Sequence, residues 1–373
     1  MGLRNLTVSL TLLVTATLLA SIGALKVSIK EYDVPTPKAR PHDPAVSPDG
    51  ALWVTEQMAN KLGRLDPNTG QFREYSLKTP ESGPHGLVAD KQGNIWFAAI
   101  FKGYIGKLDP KSGEITEYRM RDPRAKDPHT PVFDQKGILW FTLQESSMVG
   151  RLDPGTGDIK VKPTPTQNAV PYGIVVTEEG VPFFCEFGTN KLGSIDPQSM
   201  AIHEYPLPEG ARPRRLALAP DGTIYYTDYE RGYLGHFDPK SQKHEEWPSP
   251  GGSGSEPYGI TTTPDGMIWY SESGVNPNTL VRFDPKTKGF AKTAIPSGGG
   301  VVRNMAATKD GKIYLACSGV NKVAVVTPSS HPAGRSAGEP ALSGVEGPAV
   351  GRASWPAPFC PTESLPLQYA NFK

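Results

Sequence analysis

Short apolar runs alternate with polar turn clusters along the chain, and the stretch Ser82–Met120 shows the unit most clearly. It contains four runs with the alternation and residue types of β-strands: Gly86–Ala89, Asn94–Ala98, Tyr104–Leu108 and Glu114–Tyr118. The clusters KQG, FKG and DPKSG between them are typical of tight hairpin turns. The pattern predicts a four-stranded antiparallel meander. Such a unit cannot bury its apolar faces alone, so it has to pack against copies of itself.

Copies of this unit follow at a regular period. The position of His85 recurs at residues 42, 85, 129, 172, 214, 258 and 303, so that successive repeats are 42 to 45 residues apart. An Asp-Pro turn recurs with them, as in RLDPNTG (Arg64–Gly70), KLDPKSG (Lys107–Gly113) and RLDPGTG (Arg151–Gly157). Seven all-β repeats of this length predict a seven-bladed β-propeller of four-stranded antiparallel blades. A right-handed solenoid of the same period is the alternative, but helices or shorter coils would be expected in it.

The two ends of the repeat region complement each other. Val27–Val34 alternates like the last strand of a repeat but precedes the first one, whereas the seventh repeat stops after its third strand, Val320–Thr327. We therefore predict that Val27–Val34 is the outer strand of the seventh blade. This pairing closes the ring and leaves no open edge between the first and last blades. The propeller is predicted to span Leu25–Pro328.

The flanking segments do not resemble the repeats. Met1–Ala24 carries an apolar run after Arg4 and small residues for cleavage, which predicts a secretory signal peptide and a periplasmic or secreted protein. An uncleaved N-terminal anchor is the alternative. Ser329–Lys373 is rich in Gly, Ala, Pro and Ser, and we predict a disordered tail or a translated out-of-frame end.

Charge and cysteine content limit the partners. Loss of Arg4 with the signal peptide would take the formal net charge from +1 to zero, so the protein has no global attraction to nucleic acid or anionic membranes. We expect a monomer with a small-molecule, glycan or peptide ligand. The three cysteines, Cys185, Cys317 and Cys360, have no metal-binding spacing and are predicted to be unpaired thiols.

The strand register expected for each first hairpin places polar residues at one mouth of the central channel. If the first hairpin turns about Asp49, His42 faces Glu56 on one sheet face, and equivalent positions form rings. The first ring is His42, His85, His129, Tyr172, Arg214, Tyr258 and Arg303. The partner ring is Glu56, Ala99, Leu143, Glu186, Asp228, Glu272 and Cys317, and the ring two residues before the first is Arg40, Gly83, Asp127, Val170, Arg212, Glu256 and Val301. Converging histidines and carboxylates suit general acid–base catalysis or a divalent metal, although a merely solvated channel would also be polar.

The repeats PHGLVADKQGNIWFAAIFKGYIGKLDP and PYGITTTPDGMIWYSESGVNPNTLVRFDP resemble those of the streptogramin B lyase (virginiamycin B lyase) family. The resemblance runs through all seven repeats and implies a seven-bladed propeller. It also implies an enzyme that opens a cyclic depsipeptide lactone by elimination with Mg²⁺. In that mechanism a histidine base removes the proton α to the ester carbonyl, while the metal and acidic residues stabilise the enolate and position the leaving alkoxide.

The family's active constellation is a ring His in one blade, Glu-Pro-His in the next, and a Glu fourteen residues after that second His. Blades two and three offer His85 and Asp127-Pro128-His129, with Leu143 in place of the final acid. Blade one offers His42 and Glu56, but Arg303 and Arg40 occupy the first two positions. Blades five and six offer Arg214, Glu256-Pro257-Tyr258 and Glu272. No window carries the complete set.

By this resemblance we predict a carbon–oxygen lyase that opens a lactone or ester at the channel mouth, and the signal peptide predicts that it is exported. The predicted catalytic residues are His129 as base, His85, Asp127, and the auxiliary pair His42 and Glu56. The predicted substrate-binding residues are Tyr172, Arg214, Tyr258 and Arg303, and the predicted Mg²⁺ ligands are Asp127, Glu56, Glu256 and Glu272. The alternative is a non-catalytic propeller that binds a glycan, peptide or protein. A propeller lactonase is a third hypothesis, although the three rings lack the Asn ligands of such Ca²⁺ sites.

Overall fold

The computed structural model describes residues Ile22–Ser329. Most of the predicted signal peptide and nearly all of the predicted tail lie outside the described residues. Within the described range the chain folds into seven antiparallel sheets, and the first strand of each contacts the first strand of the next around a ring. The predicted all-β, seven-bladed β-propeller is confirmed. No helix between Ile22 and Ser329 is long and apolar enough to cross a membrane.

Each of the first six blades consists of four strands that are consecutive in the chain. Two strands precede them, β1 (Gly23–Ala24) and β2 (Val27–Asp33). The first three blades comprise β3 (Pro41–Val46), β4 (Leu52–Glu56), β5 (Lys61–Leu65), β6 (Phe72–Ser76), β7 (Pro84–Ala89), β8 (Ile95–Ala99), β9 (Tyr104–Leu108), β10 (Ile115–Arg119), β11 (Pro128–Phe133), β12 (Leu139–Leu143), β13 (Met148–Leu152) and β14 (Ile159–Pro163).

The fourth to sixth blades comprise β15 (Pro171–Val176), β16 (Pro182–Glu186), β17 (Lys191–Ile195), β18 (Ile202–Pro206), β19 (Pro213–Leu218), β20 (Ile224–Asp228), β21 (Tyr233–Phe237), β22 (His244–Pro248), β23 (Pro257–Thr262), β24 (Ile268–Glu272), β25 (Thr279–Asp284) and β26 (Gly289–Ala294). The seventh blade has β27 (Val302–Ala307), β28 (Ile313–Cys317) and β29 (Lys322–Pro328), with a short 3-10 helix at Ser318–Val320.

The ring is closed by its two ends, as the sequence predicted. Strand β2 pairs antiparallel with β29, from Val27 opposite Pro328 to Asp33 opposite Lys322, and completes the seventh blade. The sequence did not predict β1, which pairs parallel with β26 and adds a fifth strand to the sixth blade. The N-terminal segment therefore ties the last two blades together.

The recurrent Asp-Pro turns have one local cause. In the first turn the Asp66 carboxylate accepts a hydrogen bond from the Asn68 amide at 2.9 Å, and the Gly70 amide donates to the Asp66 carbonyl at 2.8 Å. Gly70 has φ of +77°, a conformation that glycine adopts without steric cost. The same carboxylate-to-amide bond recurs in the later repeats, for example at Asp109 and Asp284. The side chain thus imposes the turn that the repeat period requires.

Large aromatic side chains of the second strands fill the spaces between blades. Trp96 of the second blade is buried, contacts Phe133 of the third edge-on at 5.8 Å, and donates its indole N–H to Asp90 at 2.9 Å. Trp53, Trp140 and Trp269 are equally buried in the other inter-blade clusters. These aromatic side chains hold the blades at fixed angles around the channel.

A register shift in every first strand corrects one prediction. His42 does not face Glu56; instead Pro41 lies opposite Glu56 and Pro44 opposite Val54, with an irregularity between these pairs. Equivalent shifts follow the first pair in all seven blades. A bulge of this kind changes which side chains share a face. The first ring therefore points to the axis without the partner ring.

Candidate active site

Six of the seven first-ring side chains are buried where the first strands converge on the axis. The buried members are His42, His85, His129, Tyr172, Arg214 and Tyr258, each at most 4% exposed, and Arg303 is partly exposed. The predicted channel mouth is therefore filled by its own polar side chains. Packing of this density orients each side chain through its neighbours rather than through solvent.

The three histidines form a continuous stack with Tyr172. The ring centroids are 3.7 Å apart from His42 to His85, 3.8 Å from His85 to His129 and 3.9 Å from His129 to Tyr172. Burial lowers the pKa of each histidine well below its ordinary value, and neighbouring imidazoles and arginines lower it further. The three imidazoles are therefore neutral near pH 7.

Two tyrosines and an arginine complete the other half of the ring. The hydroxyl oxygens of Tyr172 and Tyr258 are 2.5 Å apart, and the Arg214 guanidinium lies over the Tyr258 ring at 3.8 Å from its centroid. Burial opposes ionisation of Tyr258, but Arg214, Arg303, Arg215 and the hydrogen bond with Tyr172 outweigh it and lower the Tyr258 pKa to about 8. Burial raises the Tyr172 pKa to about 12. Of the pair, Tyr258 is the hydroxyl that ionises first.

The residues immediately after the first ring form a polar network that the sequence reasoning missed. Arg215 donates to Asp43 Oδ1 at 2.8 Å and to Thr130 Oγ1 at 3.1 Å, and the Asn304 amide donates to Asp43 Oδ2 at 3.0 Å. The Nδ1 of His42 is 2.8 Å from Asp43 Oδ1. This network connects blades one, three, five and seven across the channel, and through Asp43 it holds the imidazole of His42 in place.

A cavity of about 380 Å³ lies on the hairpin side of this network. Asp43, Thr130, Arg215 and Asn304 form part of its lining, together with apolar side chains such as Ile174 and Leu216. The ring and the network thus separate this cavity from the rim formed by the residues two positions before the first ring. A sequence signal existed: the position after the ring is polar in four blades and glycine in the other three, Gly86, Gly173 and Gly259.

The predicted partner-ring carboxylates do not join the first ring. Glu56 Oε1 lies over Gly63 of its own blade, and burial, then Glu74, raises the Glu56 pKa to about 8. Glu272 accepts hydrogen bonds from Ser249 at 2.7 Å, from the Gly251 amide at 2.5 Å and from Thr279 at 2.5 Å. Glu272 therefore connects elements within its own blade, whereas the two buried carboxylate oxygens of Glu56 have no hydrogen-bond partner among the described residues.

Six of the seven rim residues, which lie two positions before the ring, have positive φ; Arg212 is the exception. Asp127 and Glu256 have φ of +54° and +46°, and the branched Val170 and Val301 also have positive φ. Such values are strained for residues other than glycine and recur at functional sites. Asp127 is buried two residues before His129, and Glu256 accepts a hydrogen bond from Tyr229 at 2.6 Å. Glu256 is thereby linked to Arg214, which lies 4.1 Å from the centre of the Tyr229 ring.

The residues present do not fit the Mg²⁺ site that the family resemblance implies. Mg²⁺ requires oxygen ligands in octahedral geometry, but Glu272 is occupied by three donors and Glu256 by Tyr229. Among the described residues the one group of three metal-ligating side chains is His42, Asp43 and His85, with ligand atoms within 4.8 Å of one another. Its two imidazoles are poor Mg²⁺ ligands, and its carboxylate already binds Arg215. None of the four predicted metal ligands belongs to that group.

The fold and the ring together define a class: a seven-bladed propeller with a buried cluster of histidine, tyrosine and arginine at the axis. The chain belongs to the virginiamycin B lyase family, whose model matches residues 10–250. The predicted family resemblance is therefore confirmed. No curated protein sequence matches the chain.

Solved structures agree with this assignment. A streptogramin B lyase structure is 25% identical, with a TM-score of 0.75, and the match covers 81% of this chain and 98% of that one. Virginiamycin B lyase from Staphylococcus aureus is 22% identical, with a TM-score of 0.74 and coverage of 81% and 99%. A catalytically inactive variant of the S. aureus enzyme with quinupristin is 21% identical, with the same TM-score and the same coverage. The last two comparisons show a common fold.

Proposed function

We propose that this protein is a carbon–oxygen lyase that acts by elimination at the first ring, with Tyr258 as the base. The observation that carries the proposal is the contact of Tyr258 with Tyr172 and Arg214, at the position where the family constellation has its second histidine. The family is one of streptogramin B lyases, which supports the reaction class. The substrate, a lactone or another ester, is part of the proposal, as is export through Met1–Ala24.

Tyr258 is better suited to the base role than His129, which the sequence predicts. An effective base at neutral pH has a pKa near the working pH, and that of Tyr258 is about 8. The pKa of His129 lies well below its ordinary value through burial and through His85, Arg215 and Arg214. A neutral imidazole of so low a pKa accepts a proton weakly. The role of His129 remains a prediction, and the variants below compare the two residues.

The ring residues can carry the reaction in balanced steps. The Tyr258 phenolate removes the proton from the carbon next to a carbonyl group, and the electron pair forms an enolate. The positive charges of Arg214 and Arg303, which already favour the phenolate, stabilise the enolate oxygen. The enolate collapses to a carbon–carbon double bond, and the bond from the neighbouring carbon to oxygen breaks. The leaving oxygen takes up the proton from Tyr258, which restores the phenolate.

Mass spectrometry of the products tests the proposal. The full chain is incubated with cyclic depsipeptide lactones such as quinupristin and with simple lactones. Elimination opens a ring without a change of mass and creates a double bond, whereas hydrolysis adds one water. We expect the elimination product, with Tyr258→Phe about 10²- to 10⁴-fold slower and His129→Gln affected less. A hydrolysis product, or full activity of Tyr258→Phe, would contradict the proposal.

A non-catalytic binding propeller is the second candidate. The burial of six ring side chains favours it, because a substrate reaches Tyr258 only if the ring residues move. Failure of all lactones and esters to react, together with saturable binding of a glycan or peptide to the wild type, would establish this second function in place of the lyase.

A further inference from the structure

Two arginines of neighbouring blades, Arg40 at the rim and Arg303 in the first ring, have no acidic partner among the described residues. Arg40 of the first blade and Arg303 of the seventh are both partly buried, and neither forms an ion pair with any residue between Ile22 and Ser329. Burial, then the charge of Arg303, lowers the Arg40 pKa to about 10. The Nε of Arg303 is buried and has no hydrogen-bond partner. Adjacent unpaired guanidiniums are costly unless an anion joins them.

A third arginine, Arg214 of the first ring, lies against Tyr258. Arg214 is 2% exposed, and its Nε and Nη1 atoms have no hydrogen-bond partner. It lies over Tyr258, which also lies close enough to Arg303 and Arg40 to interact with their charges. A buried guanidinium with unused donors is the group that a carboxylate binds most strongly.

The acidic groups nearby do not balance this charge. Asp43 is bound to Arg215, and the Glu256 carboxylate accepts its hydrogen bond from Tyr229. Asp127 lies at the rim in the third blade, two residues before His129. The rim between blades seven, one, five and six therefore carries a net positive charge, which suits an anion and opposes a cation.

We propose that Arg40, Arg303 and Arg214 bind a carboxylate on the substrate, attached to the carbon that loses its proton to Tyr258. The inference rests on the proposed function and names its substrate class: a small acid with an ether or ester oxygen on the carbon β to the carboxylate. An ionised carboxylate makes the neighbouring C–H less acidic, and three guanidiniums offset that effect. They also stabilise the doubly charged enolate that forms when the proton leaves. The products are an unsaturated carboxylate and an alcohol or acid, with no net oxidation.

Calorimetric titration of the full chain with D-glucuronate tests the charge requirement. We expect saturable binding of D-glucuronate that is at least about tenfold tighter than binding of its neutral methyl ester. Arg303→Gln and Arg40→Gln should each weaken binding about tenfold or more, since each removes charge-assisted hydrogen bonds. Arg73→Gln, on the exposed outer strand of the first blade, is the matched control and should bind like the wild type. Equal binding of the ester, equal binding of sulfate, or equal loss in the control would overturn the inference.

A second ligand shows whether the site binds linear carboxylic acids or only sugar acids. Binding of 3-methoxypropanoate with the same arginine dependence would show that the site recognises a linear acid, whereas binding of glucuronate alone would assign it to sugar acids. The same titrations with Tyr258→Phe separate the two proposals. Carboxylate binding without elimination in the wild type refutes the lyase, and elimination of neutral esters without carboxylate binding refutes the present inference.

Discussion

Ultraviolet titration should reveal one tyrosine that ionises near pH 8, about two units below an ordinary tyrosine. The phenolate absorbs in the near ultraviolet where the phenol does not, so the ionisation can be followed directly. Tyr104 and Tyr314 have pKa values raised to about 12, chiefly by burial, and ionise well after this step.

The magnitude follows from the surroundings of Tyr258. A shift of two units corresponds to about 2.7 kcal/mol of preferential stabilisation of the phenolate. The arginines and the Tyr172 hydroxyl must supply this in addition to the burial penalty that they overcome. Arg214 lies over the ring at 3.8 Å, and loss of one such opposite charge typically changes a pKa by about 1 to 3 units. Arg214→Met should therefore move the step towards or above pH 9.

Three variants assign the ionisation near pH 8 to a particular tyrosine. Tyr258→Phe should abolish the step near pH 8, whereas Tyr233→Phe, on the third strand of the fifth blade, should retain it. Arg214→Met should retain one ionisation but shift it upwards. The rate of elimination should rise with pH through the same value in the wild type, because the phenolate is the active form in the proposed mechanism.

A wild-type titration with no tyrosine ionisation below about pH 9 would refute this prediction. Burial would then outweigh the arginines, and Tyr258 would remain protonated and unable to act as the base. A step that persists in Tyr258→Phe would assign the low pKa to another tyrosine and would refute the geometry on which the proposal depends.

Three further predictions concern stability and metal binding. Glu56→Gln should stabilise the protein at pH 8 but not at pH 4.5. Because folding raises the Glu56 pKa from 4.5 to about 8, the native carboxyl stabilises the fold below pH 4.5 and loses this contribution as the pH rises through about 8. Thermal melts at several pH values measure the difference. Asp43→Asn leaves the buried Arg215 unpaired and should cost about 3–5 kcal/mol of unfolding free energy, measured by urea titration; a cost below about 1 kcal/mol would contradict the ion pair. Titration with Mg²⁺ should give no saturable heat, and chelator should leave elimination unchanged, because Glu272 and Glu256, the acids of the family constellation in blade six, already accept hydrogen bonds from other groups. A saturable Mg²⁺ isotherm would refute this.

The fold could be predicted because its causes are local and repeated. The Asp66-type turns are formed by residues adjacent in the chain, so they identify every blade from the sequence. Ring closure was predictable for the same reason: Val27–Val34 has the pattern of a fourth strand, and the seventh repeat lacks one. The parallel pairing of Gly23–Ala24 depends on the position of the sixth blade, and a two-residue strand has no alternation of apolar and polar residues that could predict it.

The site was predicted only in part because its geometry depends on one irregularity. Alternation along an unbroken hairpin puts His42 and Glu56 on one face, and the bulge between Pro41 and Pro44 separates them. The network around Asp43 was not predictable, since its partner Arg215 stands 172 residues further along the chain. Contacts across a propeller channel join blades that are distant in sequence, and no local pattern reports them.

The departures from the family constellation in blades five and six become consistent when they are considered together. An elimination needs a base and a positive charge near the developing enolate. In the proposed mechanism Tyr258 takes the place of the histidine base, and a phenol becomes a base near neutrality only where cations lower its pKa. Arg214, at the other histidine position, supplies such a charge permanently, as do Arg303 in the first ring and Arg40 at the rim. With these cations present a bound metal ion would be repelled, and Glu272 is free to serve the structure of its own blade, which is where its hydrogen bonds lie.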